Sequence, residues 1–473
     1  MTWLLRLAVA GLVLAPAGAA LAHTSERAFI LLLPTRLYLI GGGLAVALSF
    51  VVMALVPTGR LRALAERRWH LVQAPTEGMV WSAATLLILA GLLVAGLSGS
   101  RDPLANPLPL AVWTVWWIGL TFLHVVFGNL WAVINPWRAA YWLLTALPPL
   151  RRWREAPPLA YSSGLGYWPA VLGLLAFAWF ELVHPAPHDP AVLTAAVLVY
   201  GAVNLVGMLL FGAPAWLRQG ETFAVFFRLV SWLAPLGTDP VEDDDRKALT
   251  LTLPALRLLR VGELPSSGMV FVLLALASVS FDGLSRTFWW LDLIGVNPFK
   301  HPGRTELIAV NSLGLLAVVA VFIVAYATAV LLGRALAGGG GKGAGFGRLV
   351  VSIVPIAFAY HFAHYLSAFM VDGQYMLRTL SDPLAQGLNL FGTAEWHVTT
   401  SFLAHHHSVE LIWNLQVAVI VVAHVMAVAI AHVLALAGAA GKRQAVLSQL
   451  PMTALMVGYT VFGLWLLATP AIG

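Results

Sequence analysis

The chain has 473 residues, of which 60% are hydrophobic and only 10% charged. Soluble domains carry about 25% charged residues, so this composition excludes a water-soluble globule. The net charge of +6 does not describe a nucleic-acid binder, because the Lys and Arg residues stand in short clusters between apolar runs, where they orient membrane spans. Cysteine is absent, which removes disulfides, thiolate metal sites, iron–sulfur clusters and thiol nucleophiles.

Residues 1–22 read as a secretory signal: Arg6 is the basic flank, Leu7–Leu14 the apolar stretch, and Ala20-Leu21-Ala22 a small-residue cleavage site. Residues 23–473 then form one transmembrane helical domain. Apolar stretches near 37–56, 79–97, 110–134, 166–184, 190–212, 268–285, 307–332, 349–371, 411–436 and 449–469 each approach the ~20 residues that cross a hydrocarbon core. The expected fold is an all-α polytopic bundle of about ten spans. Segment 214–235 is apolar but carries Arg218, Glu221 and Arg228, and reads as an interfacial amphipathic helix in a long cytoplasmic loop. Glu242–Asp245 reads as a helix start, and the glycine-rich stretch 338–347 as a linker.

Basic residues test the topology. With the mature N-terminus outside, Arg60, Arg62, Arg67 and Arg68 share the cytoplasmic side with Arg151, Arg152, Arg154, Arg246, Lys247, Arg257 and Arg260. The outer loops hold few, among them Arg101, Arg286 and Arg304. This bias places a multi-pass protein in a bacterial inner membrane with both mature ends periplasmic.

The histidines carry the chemistry. His124, His361, His364 and His424 come from three spans at similar depth, where polar side chains are costly and face a bundle interior. His361 and His364 share a helix face at i, i+3. His406, His407, Glu410, Asn414, His424 and His432 fall in a stripe about 100° wide at 3.6 residues per turn. Neutral imidazole is the commonest metal ligand, so His361, His364, His424 and His124 are candidate ligands for copper, zinc, iron or haem. A second candidate metal site lies outside: His23 at the new N-terminus, His397, the run His405-His406-His407, and Glu410. Asp282 reads as a structural cap near an aromatic belt, and Asn129, Asn135, Glu181 and Asn204 add polar groups near span ends and interiors.

The layout resembles bacterial membrane proteins known as fenitrothion hydrolase components: a signal, a short outer segment His23-Thr24-Ser25-Glu26-Arg27, about ten spans, and a His-rich last third. The resemblance implies hydrolysis of an organophosphate ester by a membrane-bound enzyme, with a metal-activated water as nucleophile. It maps no catalytic residue onto this chain. Three functions follow: a His-lined metalloenzyme opening to the periplasm, a proton-coupled or metal-importing transporter, or a structural subunit meeting partner helices. The lipid bilayer is the common partner, with a small-molecule or metal ligand in the first two.

Overall fold

The computed structural model describes residue 30 and residues 33–56, 67–73, 78–241, 244–297, 303–338 and 345–469. The signal segment 1–22 and His23 lie outside the described residues. Among those residues nine helices are long and apolar enough to cross a membrane. They are α1 (Thr35–Leu55), α2 (Met79–Ser98), α3 (Pro107–Phe127), α6 (Pro190–Phe211), α9 (Ser266–Ser285), α10 (Arg304–Leu336), α11 (Phe346–Ser381), α12 (His406–Gly438) and α13 (Lys442–Ala468). Between them lie α4 (Pro136–Thr145), α5 (Trp168–Leu182), α7 (Ala213–Gln219) and α8 (Thr222–Ser231). The chain is an all-α helical membrane bundle, as its apolar periodicity requires.

Two expectations change. The stretch near 166–184 is α5, only 15 residues long, about 22 Å at 1.5 Å per residue. It is held short by the turn ending at Tyr167 and by Pro185. The segment 214–235, expected as one interfacial helix, is two helices, and α8 is buried at Phe223, Val225, Phe226, Phe227, Leu229 and Val230. It packs against α3, α5 and α11, so its place is inside the bundle.

Helix starts follow local chemistry. Asn106, Asn135 and Asp189 each precede a proline and accept hydrogen bonds from the first turn of α3, α4 and α6. Proline at the first helical position sacrifices an N–H that has no partner there anyway. Residues Leu110–Gly119 of α3 are wound as a π-helix, a wider coil that recurs at functional sites. The only strands among the described residues are β1 (Trp69–Gln73), β2 (Leu236–Val241) and β3 (Asp244–Leu251). They form an antiparallel sheet in the order β1-β3-β2, which the sequence reading did not anticipate. Because α9 leaves the sheet through Leu256–Arg260, the sheet occupies the end of the bundle opposite the last turn of α9.

Burial ranks the helices. In α9, 83% of the span is buried and in α11, 72%, against 17% in α2, so α9 and α11 form the centre and α2 faces lipid. Small residues permit the closest crossings. At Gly333 in α10 an added Cβ would lie 2.0 Å from the Ser448 carbonyl oxygen of α13. Gly333→Ala is therefore expected to lose about 1–3 kcal/mol, despite alanine's better helix propensity. Thermal unfolding in detergent reads this, and an unchanged or raised midpoint would show that the crossing is looser than described.

Candidate functional site

The densest polar cluster gathers where α5 and α9 end. Asp282, in the last turn of α9, has a side chain only 3% exposed. Its Oδ1 pairs with Arg286 Nη2 at 2.9 Å. Its Oδ2 accepts from His364 Nε2 of α11 at 2.7 Å and lies 3.1 Å from the Tyr365 hydroxyl. That hydroxyl is also 2.9 Å from Oε1 of Glu181, on α5. Glu181 Oε1 further accepts from Trp117 Nε1 at 3.1 Å, delivered by the π-wound part of α3. Arg304 Nη1, at the head of α10, donates to the backbone carbonyls of Glu181 and His184 at 2.9 and 3.2 Å, satisfying the end of α5. Arg286 is 46% exposed and forms the mouth.

Hydrogen counting constrains the cluster. A phenol has one hydrogen, yet the Tyr365 oxygen is in bonding distance of two carboxylates. One contact is a donation by Tyr365, and the other is satisfied only if a protonated carboxyl donates back. Asp282 already accepts from Arg286 and His364, whereas Glu181 has only the Trp117 donor besides Tyr365. The shared proton therefore belongs on Glu181.

The four inner histidines occupy separate surroundings. His124 is fully engaged: its Nδ1 donates to the Leu120 carbonyl at 2.6 Å and its Nε2 accepts from the Trp131 amide at 3.0 Å. Its ring stacks on Phe227 of α8 at 4.3 Å. These contacts make it a neutral structural imidazole with no lone pair left for a metal. His364 is committed to Asp282. His361 lies on the other side of Tyr365, its ring 4.8 Å from those of Tyr365 and Trp117. His424 bonds the Ile420 carbonyl at 2.8 Å and leans on Tyr459. His432, lower on α12, meets Gln449 of α13 at 3.2 Å. The Nε2 atoms of His361, His424 and His432 are buried without a hydrogen-bond partner.

The outer histidines are dispersed. His397, His405, His406 and His407 are exposed. His406 and His407 Nδ1 lie 4.0 and 3.9 Å from Glu410 Oε2. Among the described residues no group of three or more His, Asp or Glu side chains is gathered to hold a metal ion. Neither expected donor set, inner or outer, is thus assembled there. Shared depth does not bring donors together when helices separate them.

Glu181 and Asp282 were visible in the sequence only as isolated polar residues, and Tyr365 and Trp117 were not singled out. Aromatic side chains with one polar atom are common at span ends, so their sequence signal was weak. The i, i+1 pair His364-Tyr365, four residues after Tyr360-His361, was the available clue. In comparisons with known proteins, no family model, curated protein or solved structure matches this chain.

Proposed function

We propose that this chain is a proton-coupled membrane transport protein in which Glu181, Tyr365, Asp282 and His364 bind and release the coupling proton. One observation carries the reading: a single Tyr365 hydroxyl bridges two carboxylates of the bundle. Intramembrane carboxylate and histidine chains of this kind mark proton relays. Arg286 pairs with Asp282 and opens the cluster to the membrane surface. The bias of basic residues puts that surface on the periplasmic side.

The test is proton flux into vesicles reconstituted with the full chain, read with an internal pH-sensitive dye under an imposed membrane potential. Glu181→Gln and Tyr365→Phe are each expected to slow flux by about a hundredfold. Infrared spectroscopy should show a protonated carboxyl band that Glu181→Gln removes. Flux at the native rate in both variants would end the reading.

A hydrolase reading has the His364–Asp282 pair in its support, because a carboxylate at 2.7 Å orients an imidazole as general base. With it goes a bound copper, zinc or iron ion, measurable by elemental analysis of detergent-purified protein. Turnover of an organophosphate ester that His364→Ala abolishes would favour it, and no turnover by the native chain would remove it.

A further inference from the structure

Below the cluster, about one turn deeper along α11, lies a part-open cavity of about 30 Å³. It is bounded by Trp117 and Thr121 of α3, Phe226 of α8, Phe271 of α9, and Phe358 and His361 of α11. A space needs only about 10–15 Å³ to admit a water molecule, and a water stays only where polar partners receive it. The lining has two polar side chains. His361 is 4% exposed, and its Nε2 is buried with no hydrogen-bond partner. The Thr121 hydroxyl donates to the Trp117 carbonyl at 2.6 Å, which leaves its oxygen lone pairs free to accept. The two hydrogens of one water match these two acceptors.

We propose that this cavity binds a single internal water between His361 Nε2 and Thr121 Oγ1, and that His361 is the inner proton station of the network. The inference rests on the proton-coupled reading for its role, although not for the water itself. Trp117 links the two levels: its indole N–H holds Glu181 while its ring edge packs on His361. A proton leaving the Glu181 carboxyl makes Glu181 a carboxylate and His361 an imidazolium. The Nε2–H then donates to the water, whose hydrogens turn away, and release reverses both changes. The remaining walls are apolar, and Tyr360, His364 and Tyr365, all within four residues on the same helix, are the neighbouring titratable groups of α11. No charged side chain bounds the cavity from α3, α8 or α9. The water and His361 are therefore the means by which charge is accommodated at that depth. Phe226, Leu229 and Val230 of α8 form one wall of the cavity.

Radiolytic hydroxyl labelling with mass spectrometry tests the water directly, because an internal water labels side chains that bulk solvent does not reach. In the full chain in detergent, Phe226 and Phe358 are expected to be labelled. His361→Leu and the near-isosteric Thr121→Val should each reduce that labelling about fivefold or more, with surface labelling unchanged. His361→Leu should also slow proton flux about tenfold or more while the Glu181 carboxyl band persists. If His361→Leu does not fold, Thr121→Val alone decides the water. Native protein without labelling at Phe226 and Phe358 overturns the site. Flux lost in Glu181→Gln but kept in His361→Leu overturns the station and leaves the proton-coupled reading standing. Flux kept in Glu181→Gln overturns that reading, and labelling then judges the water by itself.

Discussion

Arg286→Ala is expected to destabilise the bundle more than Asp282→Ala does, although the two substitutions break the same ion pair. The asymmetry comes from exposure. The Asp282 side chain is 3% exposed and that of Arg286 46%. Without Arg286, Asp282 must remain a buried charge with His364 and Tyr365 as its remaining donors, or take up a proton. Stranding one member of a buried pair costs about 3–5 kcal/mol, and protonating an ordinary aspartate at pH 7 costs about 4 kcal/mol. Without Asp282, Arg286 turns to water and the loss is a half-exposed ion pair worth at most about 1 kcal/mol. Tyr365 keeps Glu181 as a partner, so His364, 12% exposed, is the one donor left without an acceptor, at about 1–3 kcal/mol. The double variant should be no less stable than Asp282→Ala alone. Denaturant unfolding of the three variants in one detergent checks the order. Asp282→Ala as the worse of the single substitutions would show that Arg286 does not reach water.

The second large effect belongs to Glu221. This residue is fully buried and caps α8 through the Phe223 amide at 3.1 Å and the Ala224 amide. It also accepts from Trp131 Nε1 at 3.2 Å, Asn135 Nδ2 at 3.4 Å and the Tyr200 hydroxyl. Glu221→Ala would leave these donors inside the bundle with no acceptor, each costing about 1–3 kcal/mol. The sum exceeds about 5 kcal/mol, comparable to the whole stability of a domain at about 5–15 kcal/mol. Glu221→Ala should therefore fail to give a monodisperse peak in size-exclusion chromatography. Glu221→Gln keeps one acceptor oxygen and should fold with a lowered thermal midpoint. A well-folded Glu221→Ala protein with a native midpoint would refute this account of α8.

These residues also show where sequence reading reached and where it stopped. The span positions were legible because a run of about 20 apolar residues has few alternatives in a bilayer. The placement of α8 was not. Arg218, Glu221 and Arg228 gave 214–235 an amphipathic look, whereas Glu221 turns inward as a cap and the run Phe223–Val230 is apolar nearly all round. A carboxylate directly before such a run is a capping signal, and it outweighs the apparent polar face. At the site, His364 was identified from its depth, but its partner Asp282 and the Glu181 and Arg286 of the same cluster come from two other elements. Those meetings depend on which helices neighbour α11, and helical phase says nothing about neighbours. His124 shows the converse error, since its depth matched that of His361 while the π-wound segment of α3 and the packing of α8 gave it other partners.

The π-wound segment Leu110–Gly119 has a consequence for how this chain can diverge. Its wider coil holds more residues per turn than the same length of α-helix would, so it tolerates no change in residue count. Deleting one residue there would let ordinary α-helix form and would re-aim the side chains inside the segment, Trp117 among them, relative to those beyond it. Trp117 and the His124 ring could then no longer both meet Glu181 and Phe227. Insertions and deletions in descendants of this chain should therefore collect in the loops and spare the interval from the Asn106 cap to the Gly128 turn. A fixed spacing there would be the signature of the site, more durable than the identity of any one of its histidines.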